Sequence, residues 1–585
     1  MAGDSIFKRA QVVLEAVRLA SDADTSKLSQ LTAQQSQTLK LELILRIILT
    51  FLPESTDPTH YTDLLHDLSA GISSDNTDAA LQIPALSEQD LSEDDAVNRV
   101  QKLHLLPLAD PKSSFDGSTD LFTIFLIHRA HRIDSETGSL PLVAQLLGPF
   151  VDHSEYLRTW MVSTLCPLLR LDYEYYPHRA PAYSLEDFER LDGSPAIYSL
   201  LSEAAQNRGG DEQPEIGRDL RGLVGPWMHG EDGRKRRRLN NWQRRRSSVA
   251  ASLYGASNGS SESDTADQAS SGWAYLNEWL LELATRDFPR AVDAIAQWDG
   301  PGDIDYSDWG EGIPPKEVEA VQSSIRRYAQ AGLATVYATS SSITETFEGS
   351  RNVLVRIAQL VDLPCPPPLE IRDPAMNANI SRDYGGTLSP AHLLHNSLLG
   401  AHNPLTRPCQ SSLSLAYLLL ASAYLLVGFG HSKTCKNVAE LSIAGSESDQ
   451  TAELRKVLYK LQARTRDEKT WDEIRLQILW LRDWSWKPNC QNSESLRGVF
   501  CKIRIGDLET EILKALLSAS CESAINPFYL LYFIVRTDSL LIMLDRLQTC
   551  EKRILQTGFA TTICGNFGEN YAEFCNVILR CRQQW

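Results

Sequence analysis

Apolar side chains recur along most of the chain at the i, i+3, i+4 and i+7 spacing of one α-helix face. Segments in which apolar and polar residues alternate between tight Asn-Gly or Asp-Gly turns, the signal of β-hairpins, are almost absent. Pro, Gly, Asp and Ser fill the connections, which is typical of successive helical hairpins. The pattern therefore predicts an all-α fold, an irregular α-solenoid of stacked helical hairpins with one disordered insertion.

The individual helices are predicted from this spacing and from helix-start residues such as Asp57 before Pro58. In the first part of the chain they are Ile6 to Ala20, Thr38 to Leu52, Pro58 to Ala70, Glu93 to Leu105, Leu121 to Arg132, Leu140 to Phe150, Glu155 to Leu171, Leu185 to Leu191 and Ala196 to Gln206. In the second part they are Trp273 to Thr285, Phe288 to Trp298, Pro315 to Ser341, Ser342 to Leu360, Ser389 to Leu399, Leu413 to Val427, Thr451 to Arg464, Thr470 to Arg482 and Asp507 to Ser520.

Residues 208–272 interrupt the helical pattern and divide the chain. They are first basic and then rich in Ser, Gly and Asp without an apolar period, so they predict a disordered insertion. Residues 1–207 then form an amino-terminal helical solenoid, and residues 273–519 continue it. Residues 520–585 hold five of the eleven cysteines and show no clean period, which indicates a divergent or truncated Cys-rich tail.

The stretch from Leu41 to Leu65 begins with a run of Leu and Ile and ends in turn residues. Glu42, Arg46 and Thr50 lie four residues apart on one narrow stripe, and the order of Glu42 and Arg46 favours an ion pair. The rest of this helix is apolar, and Pro53 ends it. We expect a helical hairpin with a buried inner helix and a half-exposed outer helix, because the run is too short and too polar to span a bilayer.

One other segment is a candidate for a membrane span. Leu413 to Phe429 contains seventeen uncharged residues, at the lower limit of the length that a transmembrane helix needs. Its serine residues interrupt the apolar run, and a helix covered on both sides inside a solenoid has the same composition. The pattern favours the buried helix over the span.

The composition is that of a folded protein, with 43% hydrophobic and 23% charged residues. A net charge of −18 argues against general affinity for nucleic acid, since phosphate binding needs a positive surface. The first residues place Asp4 before the basic positions and mix charges into the apolar run, so they do not resemble a secretory signal. The cysteines contain no CxxC pair, which favours free thiols in a reducing compartment.

A basic run between residues 234 and 246 stands out against this acidic background. It could act as a nuclear-import-like signal, contact anionic lipid headgroups or form a loop recognised by a kinase, with Ser247 and Ser248 as candidate phosphorylation sites. A solvated charge run within the insertion is the simpler interpretation. The candidate contact residues are Arg234, Lys235, Arg236, Arg237, Arg238, Arg244, Arg245 and Arg246.

Two further clusters are candidates for binding. A carboxylate-rich loop does not fit the calcium loop of an EF-hand, because Asp308 stands where that loop needs Gly and Pro314 where it needs Glu. A capped acidic loop is therefore predicted. A run of three tyrosines predicts packing between neighbouring hairpins or, alternatively, a patch that binds a partner. These residues are Asp299, Asp303, Asp305, Asp308 and Glu311 in the loop, and Tyr173, Tyr175 and Tyr176 in the run.

The sequence motifs of common enzyme classes are absent. There is no GxxxxGK[ST], GxSxG or HExxH motif and no GxGxxG between a strand and a helix, and the fragment GFGHSK at Gly428 has only two of the glycines. His128 and His131 share a helix but lack partners at the spacing of metal ligands. We therefore predict no catalytic, cofactor-binding or metal site, and a protein that is not an enzyme.

Several long segments, in order, resemble the fungal secretory-pathway family called Sec thirty-nine. They include LELILRIILTFLPESTDPTHYTDLL, RAHRIDSETGSLPLVAQLLGPF, LRTWMVSTLCPLLRLDYEYYP and GRDLRGLVGPWMHG. The resemblance continues through WLLELATRDFPRAVDAIAQWDGP, AELSIAGSESDQTAELRKVLYKL, TWDEIRLQILWLRDW and LETEILKALLSA. It covers the chain from about Phe7 to Ala519.

The resemblance implies an α-solenoid subunit of the Dsl tethering complex, related to the animal neuroblastoma-amplified sequence protein. Such a subunit binds another tether subunit and the SNAREs of the endoplasmic reticulum, and it captures COPI-coated vesicles returning from the Golgi only indirectly. It needs no cofactor and attaches peripherally to the cytoplasmic face of the endoplasmic reticulum. The family is not defined by catalytic residues, so no individual site residue is transferred.

Two other hypotheses follow from the sequence. A nuclear or nucleic-acid-associated helical scaffold would use the basic segment 234–246. An integral membrane protein would be anchored by Leu413 to Phe429. The tether hypothesis is preferred because the resemblance extends over most of the chain.

Overall fold

The computed structural model describes residues 2–71, 93–108, 120–181, 183–191, 193–206, 216–230, 273–306, 309, 318–369, 388–464, 468–484 and 498–518. Every regular element within these residues is a helix. The predicted all-α class is therefore confirmed.

Most of the α-helices lie within a few residues of their predicted positions. Up to the predicted insertion they are Ala2–Ser21, Thr25–Gln34, Leu41–Phe51, Thr62–Ala70, Glu93–Gln101, Leu121–Thr137, Leu140–Leu147, Glu155–Trp160, Cys166–Leu169, Leu185–Arg190, Gly193–Leu200, Ser202–Gln206 and Ile216–Asp219. Beyond it they are Trp273–Arg286, Phe288–Gln297, Val318–Ala338, Thr344–Leu360, His395–Leu398, Gln410–Gly428, Cys435–Ile443, Glu447–Arg464, Glu468–Arg482 and Ile505–Ser518. Three short 3₁₀ segments are Pro58–His60, Gly148–Phe150 and Pro390–Leu393, and three π-helical segments are Met161–Leu165, Arg170–Tyr175 and Leu220–Val224.

Side-chain caps explain where several of these helices begin. The Asp120 carboxylate accepts a hydrogen bond from the Thr123 amide at 2.8 Å, and Ser154 and Ser184 cap their helices in the same way. These bonds satisfy amides that have no partner inside the helix. At the other end of helix Leu121–Thr137, Gly138 has a φ of 64°, a left-handed conformation that glycine adopts without strain.

The described residues form two compact units. Unit 1 consists of the described residues of Met1–Leu369, Ser381–Leu420 and Thr434–Lys436, and unit 2 of those of Ala421–Lys433 and Asn437–Trp585.

Stacking of helical pairs is clearest in the middle of unit 1. Helix Trp273–Arg286 packs against the next helix, Phe288–Gln297, and against the one after it, Val318–Ala338. Helix Thr344–Leu360 in turn packs against both Phe288–Gln297 and Val318–Ala338. Each helix therefore contacts its neighbour and its next neighbour along the chain, which is the packing of stacked helical hairpins.

The apolar helix Leu41–Phe51 is buried as predicted, but its main neighbours differ from the predicted hairpin partner. It packs against helices Ala2–Ser21 and Leu121–Thr137. Arg46 donates hydrogen bonds at 3.0 Å to the carbonyls of Leu105 and Leu106. The predicted pair of Arg46 with Glu42 is therefore wrong, because the segment after helix Glu93–Gln101 brings two carbonyls to Arg46.

A buried arginine holds the turn that ends helix Leu41–Phe51. Arg129 is fully buried and donates to the carbonyls of Leu52 and Pro53 at 2.8 and 2.7 Å. The carboxylate of Glu54 lies 3.7 Å from the Arg129 guanidinium and also pairs with Arg132. Carbonyls at the end of a helix lack hydrogen-bond partners within the helix. The guanidinium of Arg129 provides charge-assisted hydrogen bonds to these carbonyls instead.

The prediction of a disordered insertion beginning at residue 208 is wrong for residues 216–230, which form a helix with Ile216, Leu220 and Leu223 buried. The segment packs against helix Phe288–Gln297. Its apolar period is short and adjoins the basic run, which obscured it in the sequence. Residues 231–272 lie outside the described residues, so the remaining domain limits stay predictions.

Besides segment 216–230, two described helices were not predicted, Thr25–Gln34 and Cys435–Ile443. Thr25–Gln34 contains few apolar residues, so its period is weak. Its burial comes from packing against helices Ala2–Ser21 and Thr62–Ala70. Tertiary contacts thus stabilise a helix that its own pattern does not indicate.

Candidate interaction surfaces

The acidic loop after helix Phe288–Gln297 is held by arginines. Arg221 contacts both oxygens of the Asp303 carboxylate, with Nε at 2.8 and 2.9 Å. Asp299 pairs with Arg356. The Trp298 indole donates to the Asp303 carbonyl at 2.8 Å. The described carboxylates of this loop thus bind cations of the protein itself, and Asp308 and Glu311 lie outside the described residues.

Arg170 joins this loop to two other parts of unit 1. Its Nη1 donates to the carbonyls of Gly222 and Asp305 at 2.7 and 2.8 Å, and its Nη2 lies 3.0 Å from the Asp305 carboxylate. The Asp305 amide donates to the carbonyl of Arg221 at 3.1 Å. A single guanidinium therefore binds backbone carbonyls from two segments that are far apart in sequence. We name the contacts of Arg170 with Gly222 and Asp305 the Arg170 joint.

Two of the three tyrosines pack against helical segment 216–230, which confirms the predicted packing for them. The Arg218 guanidinium lies 4.2 Å from the ring centre of Tyr175, and the Tyr176 hydroxyl donates to the buried Asp219 carboxylate. Burial and the neighbouring Asp219 carboxylate raise the pKa of Tyr176. Tyr173 is instead exposed.

The described residues contain no group of three or more His, Cys, Asp or Glu side chains that could hold a metal ion. The candidate residues of the basic run, with Ser247 and Ser248, lie outside the described residues. Their predicted roles therefore stay predictions.

Helix Gln410–Gly428 contains most of the candidate membrane span. Within the described part of the chain it alone is long and apolar enough to cross a membrane, judged by length and composition. In the structure 78% of its most apolar window is buried. The Tyr417 hydroxyl donates to the Pro368 carbonyl at 3.0 Å. A core helix has these properties, so the feature is weak evidence for membrane insertion.

Unit 2 contains an ion-pair cluster centred on Glu453. This carboxylate lies 2.8 Å from the imidazole Nε2 of His431 and 3.2 and 2.7 Å from the ammonium groups of Lys433 and Lys456. Burial by itself raises the pKa of Glu453, but the hydrogen bonds from Lys456, His431 and Lys433 outweigh it and lower the pKa to about 2. Glu453 is therefore ionised at neutral pH.

His431 lies between this cluster and the apolar interior. Burial lowers its pKa, which favours the neutral imidazole. Its Nδ1 is buried and has no hydrogen-bond partner among the described residues, and His431 lines a cavity of about 10 Å³, room for one water molecule. The site is too small for an organic ligand.

A second ion-pair cluster joins helix Glu447–Arg464 to helix Ile505–Ser518. Arg455 binds the Glu511 carboxylate through two nitrogens at 3.0 Å each, and Lys514 lies 2.8 Å from the same carboxylate. The hydrogen bond from Arg455 lowers the pKa of Glu511 to about 2, with Lys514 adding to the effect. These bidentate contacts fix the orientation of the Arg455 side chain.

Helix Glu447–Arg464, which contributes residues to both clusters, exposes an aromatic side chain. Tyr459 is 75% exposed, and residues three and four positions away along a helix share its face, which puts Arg455 and Lys456 beside it. Lys460 follows and donates to the Gly430 carbonyl at 3.0 Å. We name this surface, Arg455, Lys456, Tyr459 and Lys460, the Tyr459 face. The sequence predicted the helix Thr451 to Arg464 but did not single out this surface.

The described residues thus belong to the class of all-helical proteins built from stacked helical pairs, with arginines that bind main-chain carbonyls at their joints. Over residues 13–555 the chain matches the family described as secretory pathway protein Sec39. This match covers most of the 585 residues, so the chain belongs to the Sec39 family. No match is found among curated protein sequences.

The family match confirms the resemblance seen in the sequence and extends it. The resemblance ended at Ala519, whereas the match continues to residue 555. It therefore includes residues 520–555, which were predicted to belong to a divergent tail. These residues lie outside the part of the chain that the structure describes.

Proposed function

We propose that this chain is a non-enzymatic scaffold subunit of a tethering complex on the cytoplasmic face of the endoplasmic reticulum. It acts in Golgi-to-endoplasmic-reticulum retrograde transport and binds endoplasmic-reticulum SNAREs and another subunit of the tether. The observation that carries the proposal is membership of the Sec39 secretory pathway family over residues 13–555.

The packing of unit 1 supports a scaffold role. Stacked helical pairs give long surfaces in which each helix is positioned by two neighbours, and such surfaces hold partners at fixed separation. Arginine contacts to main-chain carbonyls, as in the Arg170 joint and at Arg129, stiffen the connections between helices. A tether needs this rigidity because a flexible linker would not hold vesicle proteins and membrane proteins at a fixed separation.

Peripheral attachment through partners is the proposed mode of membrane association. The one long apolar helix in the described residues is mostly buried, so it fits the interior of the protein. Sodium carbonate extraction of microsomes tests this directly. We expect the chain in the soluble fraction, and retention in the pellet with integral proteins would contradict peripheral attachment.

Affinity purification from the native cell, followed by mass spectrometry, tests the function. We expect the full-length tagged chain to recover endoplasmic-reticulum SNAREs and further tether subunits. Recovery of nuclear proteins alone would overturn the proposal and favour the nuclear scaffold.

A variant lacking residues 234–246 is the matched control. Under the tether proposal it keeps its association with the endoplasmic reticulum and its SNARE partners. If the full chain accumulates in the nucleus and the deletion abolishes that accumulation, the basic segment is an import signal and the tether proposal fails.

A further inference from the structure

The Tyr459 face presents positive charge outward although the whole chain carries a net charge of −18. The Arg455 and Lys456 side chains are 62% and 61% exposed, whereas their partners Glu511 and Glu453 are only 13% and 15% exposed. The carboxylates therefore lie beneath the cations. A molecule approaching this surface meets the cations first.

The surrounding charges reinforce this asymmetry. Lys433 and Lys514 pair with the same two recessed carboxylates, and Lys460 binds a carbonyl instead of an acid. Across the two clusters and Lys460, the five cations Arg455, Lys456, Lys433, Lys514 and Lys460 thus outnumber the two carboxylates. The low pKa values of Glu453 and Glu511, both about 2, mean that protonation does not change this balance near neutral pH.

Tyr459 gives the same surface an apolar centre. Ala452 and Ala463, seven residues before and four residues after it, are exposed on the same side of the helix and leave the ring projecting. Tyrosine and arginine are enriched at the centres of protein interfaces, where the ring packs and the hydroxyl makes a hydrogen bond. Side chains already fixed by ion pairs lose less conformational entropy on binding.

We infer that the Tyr459 face is a docking site for an acidic segment of a partner protein. The partner's carboxylates pair with Arg455, Lys456 and Lys460, and an apolar side chain covers the ring of Tyr459. This inference rests on the proposed scaffold function and specifies the chemistry of one contact.

A protein segment fits this face better than an anionic membrane does. Each cation near an anionic lipid surface adds only weak attraction, so stable attachment needs many cations or inserted apolar groups. Here several cations already share carboxylates, and Tyr459 is the one large hydrophobic side chain exposed on the described helix Glu447–Arg464. Cations held in fixed positions suit a partner whose carboxylates also have fixed spacing.

Fluorescence anisotropy with the purified full chain tests the inference. The probe is a fluorescein-labelled helical peptide of Glu, Ala and Leu. We expect the Tyr459→Ala variant and the Lys456→Gln/Lys460→Glu double variant each to weaken binding of this peptide by about tenfold or more, the range of interface hot spots. Binding should also weaken as salt is raised, because the cations are exposed.

The matched control changes the same charges at another place. Arg190 and Arg286 are exposed helix cations that pair with Glu186 and Glu282 four residues earlier. The double variant Arg190→Gln/Arg286→Glu should bind the peptide as the unchanged chain does. An equal loss in this control would show that only net charge matters and would overturn the inference.

Zero-length carbodiimide coupling locates the contact independently of affinity. The reagent joins a carboxylate of the peptide to a lysine amine, and mass spectrometry identifies the lysine. We expect coupling at Lys456 and Lys460, reduced in the Tyr459→Ala variant. Coupling confined to lysines outside unit 2 would overturn the inference.

Two further results would refute the docking site. If peptide binding is lost only when residues 234–246 are deleted, the basic run binds the peptide and the Tyr459 face does not. Binding of phosphatidylserine vesicles, lost in the Lys456→Gln/Lys460→Glu variant while the peptide does not bind, assigns the face to a membrane. If either result appears while the tagged chain still recovers endoplasmic-reticulum SNAREs, the docking site is refuted but the proposed function is not.

Discussion

Arg170 in unit 1 and Arg455 in unit 2 both pair with a carboxylate, but they meet solvent very differently. The Arg170 side chain is 4% exposed and donates two hydrogen bonds to main-chain carbonyls. Arg455 is 62% exposed and binds one recessed carboxylate. The same residue type thus connects backbone segments in one unit and presents charge to solvent in the other.

This difference separates residues that hold the fold from residues that face other molecules. Removing a buried guanidinium leaves carbonyls without partners, which is costly inside a protein. Removing an exposed cation costs less, because water can solvate the partner carboxylate that remains. Stability measurements and binding measurements should therefore respond to opposite sets of substitutions.

The largest effect on stability is expected for Arg170→Met, which keeps the apolar part of the side chain and removes the guanidinium. Loss of the hydrogen bonds from Arg170 to the Gly222 and Asp305 carbonyls should lower the free energy of unfolding by about 3 kcal/mol. Urea unfolding followed by circular dichroism measures the change. The exposed Arg190→Met is the control, with an expected change of about 0.5 kcal/mol or less. Equal effects in the two variants would contradict the distinction between buried and exposed arginines.

The next largest effect on stability is expected for Gly222→Ala, which tests how closely the chain packs beside the Arg170 joint. A methyl group on Gly222 would lie 2.2 Å from the Tyr175 hydroxyl oxygen, so Gly222→Ala should cost about 1 to 3 kcal/mol. Tyr175→Phe removes that oxygen and should recover part of the loss in the double variant. A double-mutant cycle by urea unfolding measures the coupling. Strict additivity would mean that the two side chains do not meet.

A smaller change in stability is expected when acid protonates Glu453 and Glu511 in unit 2. Glu453 and Glu511 have folded pKa values of about 2, below the ordinary value of 4.5. Their stabilising effect is fully present above about pH 4.5 and is lost as the pH falls towards 2. Glu453→Gln should therefore cost about 1 kcal/mol at pH 7 after allowance for solvent screening. The cost should shrink towards pH 2, as measured by urea unfolding at several pH values. A cost that is constant with pH would show that the charge of Glu453 is unimportant.

The smallest effect on stability is expected at the Tyr459 face. Tyr459→Ala removes an exposed ring and introduces a good helix former, so the free energy of unfolding should change by about 0.5 kcal/mol or less. Thermal unfolding measures it. Combined with weakened peptide binding, this result would mark Tyr459 as an interaction residue. A large loss of stability would instead assign it to the fold.

Local patterns in the sequence predict much of the fold. The period of apolar residues identifies helices such as Leu121–Thr137, and Asp120 and Gly138 mark its ends by capping. The sequence favoured a buried helix over a span at Leu413 to Phe429, and 78% of the most apolar window of helix Gln410–Gly428 is buried. Helix Thr25–Gln34 is missed because its burial depends on its neighbours more than on its own period. Segment 216–230 is missed because it adjoins the basic run, which obscured its apolar positions.

The candidate surfaces were less predictable than the helices. The carboxylates of the acidic loop are evident in the sequence, but their arginine partners are far away along the chain, as with Arg221 and Asp303. The Tyr459 face carries no motif, because its charges become asymmetric only when Glu453 and Glu511 are recessed. Its residues can be located on a helix from the sequence, but their exposure cannot.

The sequence by itself determined the all-helical class, the positions of most helices and the membership of the Sec39 family, since these depend on local period and on long ordered similarity. The tertiary structure decided which charges are buried in joints and which are presented to solvent. The physical reason is that burial and pairing depend on residues brought together from distant segments, as Arg170, Gly222 and Asp305 are.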